Sequence, residues 1–210
     1  MRNLFQSSLL LAILLFGFLS CTTEDKESAQ VESIRVRIQE EPDRLHPILS
    51  KTGISQQIES RIFLPLMAPH PDNFSLQPIL IEKYPEIHKK GDRGMQIDFT
   101  LRNDLRWPDQ SAITIKDVDF TLKSIFAPGM EESNLRAYFD GVDSITFYPD
   151  DSLSFSLHLN QSYILALPAT GGLNILPAYQ YDPDNQLTGY TLQELKTIDS
   201  SSTGINQWAK

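Results

Sequence analysis

Apolar and polar positions along this chain fall into two periods. Ile34, Val36 and Ile38 alternate with Arg35, Arg37 and Gln39, a period of two that predicts a strand. The run EEPDRLHPIL that follows carries two prolines and an Asp, so irregular chain is expected there. Ile54, Ile58 and Ile62 recur at four-residue spacing, which predicts an amphipathic helix with Ser55 as its cap, ended near Pro65. Tyr84 to Lys90, then GDRG, then Met95, Ile97, Phe99 and Leu101 in strict alternation predict a hairpin. A second hairpin runs from Val142 to Tyr148, bends at Pro149 to Ser152, and returns with Leu153, Phe155, Leu157 and Leu159 on one face. Residues 162–169 read as a short helix, ILPAYQYDPDNQ as a loop, and TLQELKTI as a helix with Thr191 near its cap.

Between the hairpins lies FTLRNDLRWPDQSAITIKDVDFTL. The alternating strand ends at Leu101. Trp107-Pro108-Asp109-Gln110 reads as a turn, because Pro fixes φ and Asp bonds the backbone two residues on. Thr114-x-x-Asp117 has capping-box spacing, which supplies acceptors to the unpaired N–H groups of a first helical turn. Val118, Leu122, Ile125 and Phe126 then form one apolar face. The expected order is strand, tight turn, capped helix.

The N-terminus changes the picture of where the chain resides. One basic residue, Arg2, precedes an apolar run from Leu9 to Leu19 and then Ser20-Cys21. Eleven residues at about 1.5 Å each do not cross a hydrocarbon core of about 30 Å. The length suits the apolar region of a secretory signal. Cys21 is either incidental to such a signal or its processing point. Its place as the single Cys, directly after a small residue, favours the second, and Phe18-Leu19-Ser20-Cys21 resembles a bacterial lipobox with Phe18 where Leu is usual. The reading is a lipoprotein signal peptide over 1–20 and lipidation of Cys21. Two or three acyl chains, at about 0.8 kcal/mol per buried CH₂, anchor a protein to a bilayer. TTEDKESAQVES, polar and without period, reads as a flexible tether over 21–32.

Composition excludes more than it identifies. The formal net charge of −9 sets the chain against phosphate backbones, so nucleic acid is not an expected partner. Four scattered His residues and one Cys give no zinc pattern. Asp182-x-Asp184 lacks the Gly and distal Glu of a calcium loop, and Asp150-Asp151 reads as the solvated acids of a hairpin bend. No G-x-S-x-G elbow occurs. No metal, cofactor or catalytic role is expected.

The stretch FTLRNDLRWPDQSAITIKDVDFTLKSI resembles the signature of family 5 extracellular solute-binding proteins, the oligopeptide- and dipeptide-binding components of ABC importers. Phe99, Leu101, Arg102, Trp107, Asp109, Thr114, Asp117, Val118 and Phe120 fall in register with it. Pro108 stands for Ser, Gln110 for Gly and Ile115 for Ala, and Gln at 110 tolerates positive φ poorly. Further pieces agree in order. Pro42-x-x-Leu45-His46-Pro47 resembles a Leu-Asp-Pro with His46 in place of Asp. Ser60 to Leu66, Gln77-Pro78-Ile79-Leu80, the hairpin at Asp143–Leu159, and Ile175-Leu176-Pro177 also match.

The resemblance covers residues 33–180. It implies a mixed α/β fold of hairpins and short helices, the N-terminal part of a two-lobed periplasmic-binding-protein-like architecture. Residues 33–210 would belong to the first lobe, with about 55–165 as its inserted subdomain. Family members are more than twice as long, so a truncated frame or N-terminal fragment without the second lobe is expected. By the same resemblance the function is capture of peptides or another small solute outside the cytoplasm, in the periplasmic space, for delivery to ABC permease subunits. The alternative is a surface or sensory interaction lipoprotein on the same fold. The ligand-facing loop falls by position on Lys51, Thr52, Gly53 and Ile54, although Gly53 alone also serves to break the chain before a helix. Tyr138 falls near a second contact position, where a Tyr equally serves packing.

Overall fold

The computed structural model describes residues 35–130 and 133–198. The residues read as a signal peptide and as a tether, Cys21 included, lie outside the described residues. The chain divides into two units at Arg37 and Ile38. In the first, residues 35–37 are exposed and belong to no helix or strand. The strand predicted over Ile34–Ile38 does not form at 35–38, and Ile34 lies outside the described residues. An alternating pattern becomes a strand only where a neighbouring strand completes its hydrogen bonds.

The second unit opens with helix α1 (Gly53–Glu59), followed by strands β1 (Met67–Pro69), β2 (Leu76–Pro78), β3 (Glu86–Lys90) and β4 (Gly94–Thr100). Helices α2 (Ile115–Phe126) and α3 (Leu135–Phe139) lead to β5 (Val142–Tyr148) and β6 (Asp151–Leu159). Three short helices close the described chain: α4 (Ala166–Gly171), α5 (Ala178–Tyr181) and α6 (Leu192–Thr197). β1 and β2 form a two-stranded ribbon, and β3-β4-β6-β5 is an antiparallel four-stranded sheet built from both predicted hairpins.

The register of that sheet puts its two faces to different use. Met95 pairs with Leu159, Ile97 with Leu157 and Phe99 with Phe155, all buried. The Phe99 and Phe155 rings stack with centroids 5.2 Å apart. The opposite face is polar. There Asp98 accepts from Gln96 Nε2 at 2.7 Å and from Ser156 Oγ at 2.5 Å, with His88 Nε2 3.1 Å away. Burial on its own would raise the Asp98 pKa, but Ser156, Gln96 and the His88 imidazole together hold it below the ordinary carboxylate value.

α2 is the central helix. Thr114 caps it, Asp117 completes the box, and Val118, Leu122, Ile125 and Phe126 are buried, as the periodicity predicts. Its C-terminal carbonyls are taken by Arg136, whose Nε reaches Ile125 O at 3.1 Å and whose Nη2 reaches Phe126 O and Ala127 O at 3.0 Å. A cation is favourable at this end of the helix dipole. Asp117 has a second task. Its Oδ2 accepts from Thr114 N at 2.8 Å, while Oδ1 accepts from Ala178 N at 3.0 Å. Thr121 Oγ1 accepts from Leu176 N at 2.9 Å. Two polar groups on α2 thus hold the Ile175–Pro177 segment.

Several local expectations shift. α1 is capped by Thr52, whose Oγ1 accepts from Ser55 N at 3.3 Å, so Ser55 lies inside the helix and is not its cap. The helix ends at Glu59, where Ile62 N and Phe63 N both bond Glu59 O. The four-residue helix α5 stands in the predicted loop, and α4 starts at Ala166, four residues beyond the predicted start at 162. Gly171 lets α4 approach β1, because a Cβ there would lie 3.1 Å from Met67 Sδ. The turn at 107–110 closes through Gln110 N to Trp107 O at 2.9 Å, and Gln110 takes φ of 73°, the left-handed conformation that glycine adopts freely. Local backbone pairing, Trp107 N to Ser111 O at 2.8 Å and the bridge between Arg106 and Ala112, holds a non-glycine residue there.

Candidate functional site

The loop before α1 is organised by one carboxylate. Asp43 accepts from Ser55 Oγ at 2.5 Å, Lys51 N at 3.0 Å and Thr52 Oγ1 at 3.0 Å. The Ser55 hydroxyl is the main cause that holds the Asp43 pKa well below the ordinary carboxylate range. Thr52 therefore has a clear local task, as cap and as donor to Asp43. Gly53 opens the helix, and a Cβ placed on it meets nothing within 4 Å. Neither sterics nor φ requires glycine there. Ile54 is half-buried. Tyr138, on α3, is 55% exposed, and its carbonyl accepts from Tyr163 Oη at 3.0 Å.

None of the three cavities described below has these positions in its wall. A cavity of about 310 Å³ does lie between α1 and α3, but other residues form its wall: Gln56 and Glu59 from α1, Ser60 just after it, and Leu135 and Phe139 from α3. The sequence reading assigned the inward face of α1 to Ile54, Ile58 and Ile62. The structure turns Ser55 and Glu59 inward, leaves Ile54 and Ile58 half-buried, and exposes Ile62 to 59%. The hydroxyls explain this. Ser55 bonds Asp43, and Glu59 Oε2 accepts from Ser50 Oγ at 2.8 Å, so the polar residues fix the rotation of the helix. The signal in the sequence was the i, i+4 pair Ser55 and Glu59 downstream of an acidic turn, a weaker pattern than three isoleucines.

Trp107 sits in the wall of a second cleft, about 380 Å³, with Leu80, Ile113 and Ile175. Its Nε1 is buried without a hydrogen-bond partner. A third cleft of about 530 Å³ borders α2 and α5. The Lys123–Asp119 pair on it is closed at 2.8 Å, and burial pushes the Asp119 carboxyl up despite the lysine.

Asp182, suspected as half of a calcium motif, is buried and accepts from Gln186 N at 2.7 Å and Leu187 N at 2.9 Å. It caps a turn. Among the described residues no group of three or more His, Cys, Asp or Glu side chains is arranged to hold a metal ion. No helix among them is long and apolar enough to cross a membrane.

No protein-family model and no curated protein matches this sequence. Solved structures do match by fold. The oligopeptide binding protein of Thermus thermophilus, solved with a pentapeptide, is 22% identical over 73% of this chain and 25% of its own, with a TM-score of 0.56. NikZ of Campylobacter jejuni, solved with Ni(L-His), is 23% identical over 77% of this chain and 29% of its own, at 0.58. The murein tripeptide binding protein MppA of Escherichia coli is 16% identical over 72% and 32%, at 0.57. The chain thus spans about a quarter to a third of the length of these proteins. At such identities the likeness establishes the fold, which is mixed α/β and is that of part of a periplasmic binding protein.

Proposed function

We propose that this chain contributes to an extracytoplasmic solute-binding protein of an ABC importer, one that captures peptides and hands them to permease subunits. The observation that supports the reading best is the fold likeness to binding proteins solved with a pentapeptide or named for a tripeptide, over about three quarters of the chain. The strand, turn and capped helix from Phe99 to Phe120 supports it independently, because these residues carry the sequence resemblance.

In this reading residues 33–210 lie in the first lobe, and about 55–165 form its inserted subdomain. Closure of two lobes on a ligand supplies affinity through backbone hydrogen bonds at strand edges, with wet pockets that tolerate varied side chains. Thr52, Gly53, Ile54 and Tyr138 remain the proposed ligand-facing positions. Cys21, after removal of residues 1–20, carries the acyl chains that tether the protein to a bacterial membrane. The role is binding, without catalysis.

The experiment is genetic. Deletion of the gene is expected to cut uptake of labelled tri- to pentapeptides, with restoration by the wild-type gene. Unchanged uptake would overturn the importer reading. Fatty-acid labelling of the wild-type protein and of Cys21→Ser tests the anchor separately. Label retained in the variant would rule out Cys21 as the acylated residue.

A further inference from the structure

Glu59 lies on the inward side of α1 and is only 2% exposed. One carboxyl oxygen, Oε2, accepts from Ser50 Oγ at 2.8 Å. The other, Oε1, has no hydrogen-bond partner. Buried polar atoms in folded proteins are almost always paired, so an orphan of this kind calls for a physical explanation. Burial raises the Glu59 pKa and outweighs the Ser50 hydroxyl and the His46 backbone N–H, which lower it, with the Asp43 charge adding to the rise. The bond from Ser50 gives Oε2 a structural task in setting the rotation of α1, but leaves the burial of Oε1 uncompensated.

The residue forms part of the wall of the cavity between α1 and α3. Ile48, Leu135, Phe139 and Leu173 give the wall an apolar side, and Gln56, Ser60 and Asn174 add uncharged polar groups. A volume of about 310 Å³ is at the small end of ligand pockets. The combination is a chamber with an apolar side, three uncharged polar side chains and one carboxyl in its wall.

We propose that this cavity is a binding site for a primary ammonium group carried on a short apolar chain, with Glu59 as its counter-ion. The ligand class follows from the single unpaired oxygen. A guanidinium is held best by two parallel bonds to both oxygens of a carboxylate, and Ser50 already occupies one of them. A compact ammonium is a point charge and needs one. A divalent metal ion is held by several oxygens with more than one carboxylate among them as a rule, and Glu59 is the one carboxylate in this wall. The apolar side of the wall then covers the carbon chain behind the nitrogen. Three sources share this chemistry: a free alkylamine, the N-terminus of a peptide and a lysine side chain. The proposal stands on the cavity and is independent of the importer reading.

The test is a titration of the full chain with n-butylammonium, followed by calorimetry and by NMR of the Leu and Ile methyl groups. Saturable binding is expected, with n-butylguanidinium and n-butanol weaker. Glu59→Gln keeps the shape and removes the charge, and is expected to weaken n-butylammonium about tenfold or more. Ala169→Leu, which fills the cavity from α4 and leaves the carboxyl in place, is expected to weaken it as well. Peptide pairs with free and acetylated N-termini, and Nα-acetyl-lysine amide, then separate the sources. Absence of saturable binding, equal affinity for guanidinium, or affinity unchanged in Glu59→Gln would each overturn the proposal. If Glu59→Gln fails to fold, as read from its melting curve, the guanidinium comparison and Ala169→Leu decide.

Discussion

The Asp117 carboxylate accepts a hydrogen bond from the backbone N–H of Ala178 at 3.0 Å, across 61 residues of chain. The same carboxylate closes the capping box at the start of α2. One side chain therefore couples a local feature, the helix start, to a long-range one, the docking of the Ile175–Pro177 segment. Asp117→Ala removes both. A lost cap costs about 1 kcal/mol and a lost bond to a charged group about 1.5–3 kcal/mol. Urea denaturation is expected to show a total loss of about 2–4 kcal/mol, with Asp117→Asn losing less. An effect no larger than that of Thr114→Ala would mean that the tie to Ala178 contributes nothing.

Gln110 holds φ of 73° in the turn before α2. A left-handed conformation costs an L-residue about 1–2 kcal/mol, and glycine escapes this at the cost of extra freedom in the unfolded chain. Gln110→Gly is expected to raise stability by about 0.5 kcal/mol. Gln110→Val is expected to lower it, since a β-branched side chain fits this region worse. A melting temperature that falls in the glycine variant would refute the strain argument.

Trp107 is half-buried with its indole N–H unpaired. Its ring and its nitrogen then act in opposite directions. Trp107→Ala is expected to destabilise by about 3 kcal/mol through lost packing. Trp107→Phe keeps much of the ring contact and removes the orphan donor, whose burial costs about 1–3 kcal/mol, so it is expected to be near neutral. Should Phe cost as much as Ala, the indole nitrogen has a partner in solution.

Two carboxyls make stability depend on pH with opposite sign. The folded pKa of Glu59 lies above its ordinary 4.5, mainly through burial. Its contribution is complete below 4.5 and is lost as pH rises through the higher folded value. The Asp98 pKa lies below its ordinary 3.8, where the bonds from Ser156 and Gln96 and the charge of His88 outweigh burial. Its contribution is present above 3.8 and lost as pH falls through the lower folded value. Denaturation midpoints across pH are expected to show a smaller loss toward neutral pH in Glu59→Gln and a smaller acid loss in Asp98→Asn. Parallel curves for wild type and variant would refute the corresponding assignment.

Much of the second unit was legible in the sequence, because its elements are stabilised by patterns that lie close together along the chain. Both hairpins, the Trp107 turn and the capped helix α2 needed only alternation, a proline, an Asp and a Thr-x-x-Asp box. Thr191 announced the cap of α6, where the structure adds Glu194 to complete a box of the same kind. Element type follows from local sterics and from hydrogen bonds spanning three or four residues, and those are visible in one dimension.

Tertiary structure decided how the elements face. It turned Ser55 and Glu59 of α1 inward although the isoleucines beside them form the cleaner stripe. Hydroxyl bonds to Asp43 and from Ser50 are specific in direction, while apolar burial is not, so the directional contacts set the rotation. It left residues 35–38 without a strand, since a strand depends on a partner that its own sequence does not contain. It also joined Glu59 from one helix to Leu135 and Phe139 from another around one cavity. No spacing in the chain encodes that meeting. It arises when long-range packing brings together side chains that each satisfy only a local pattern.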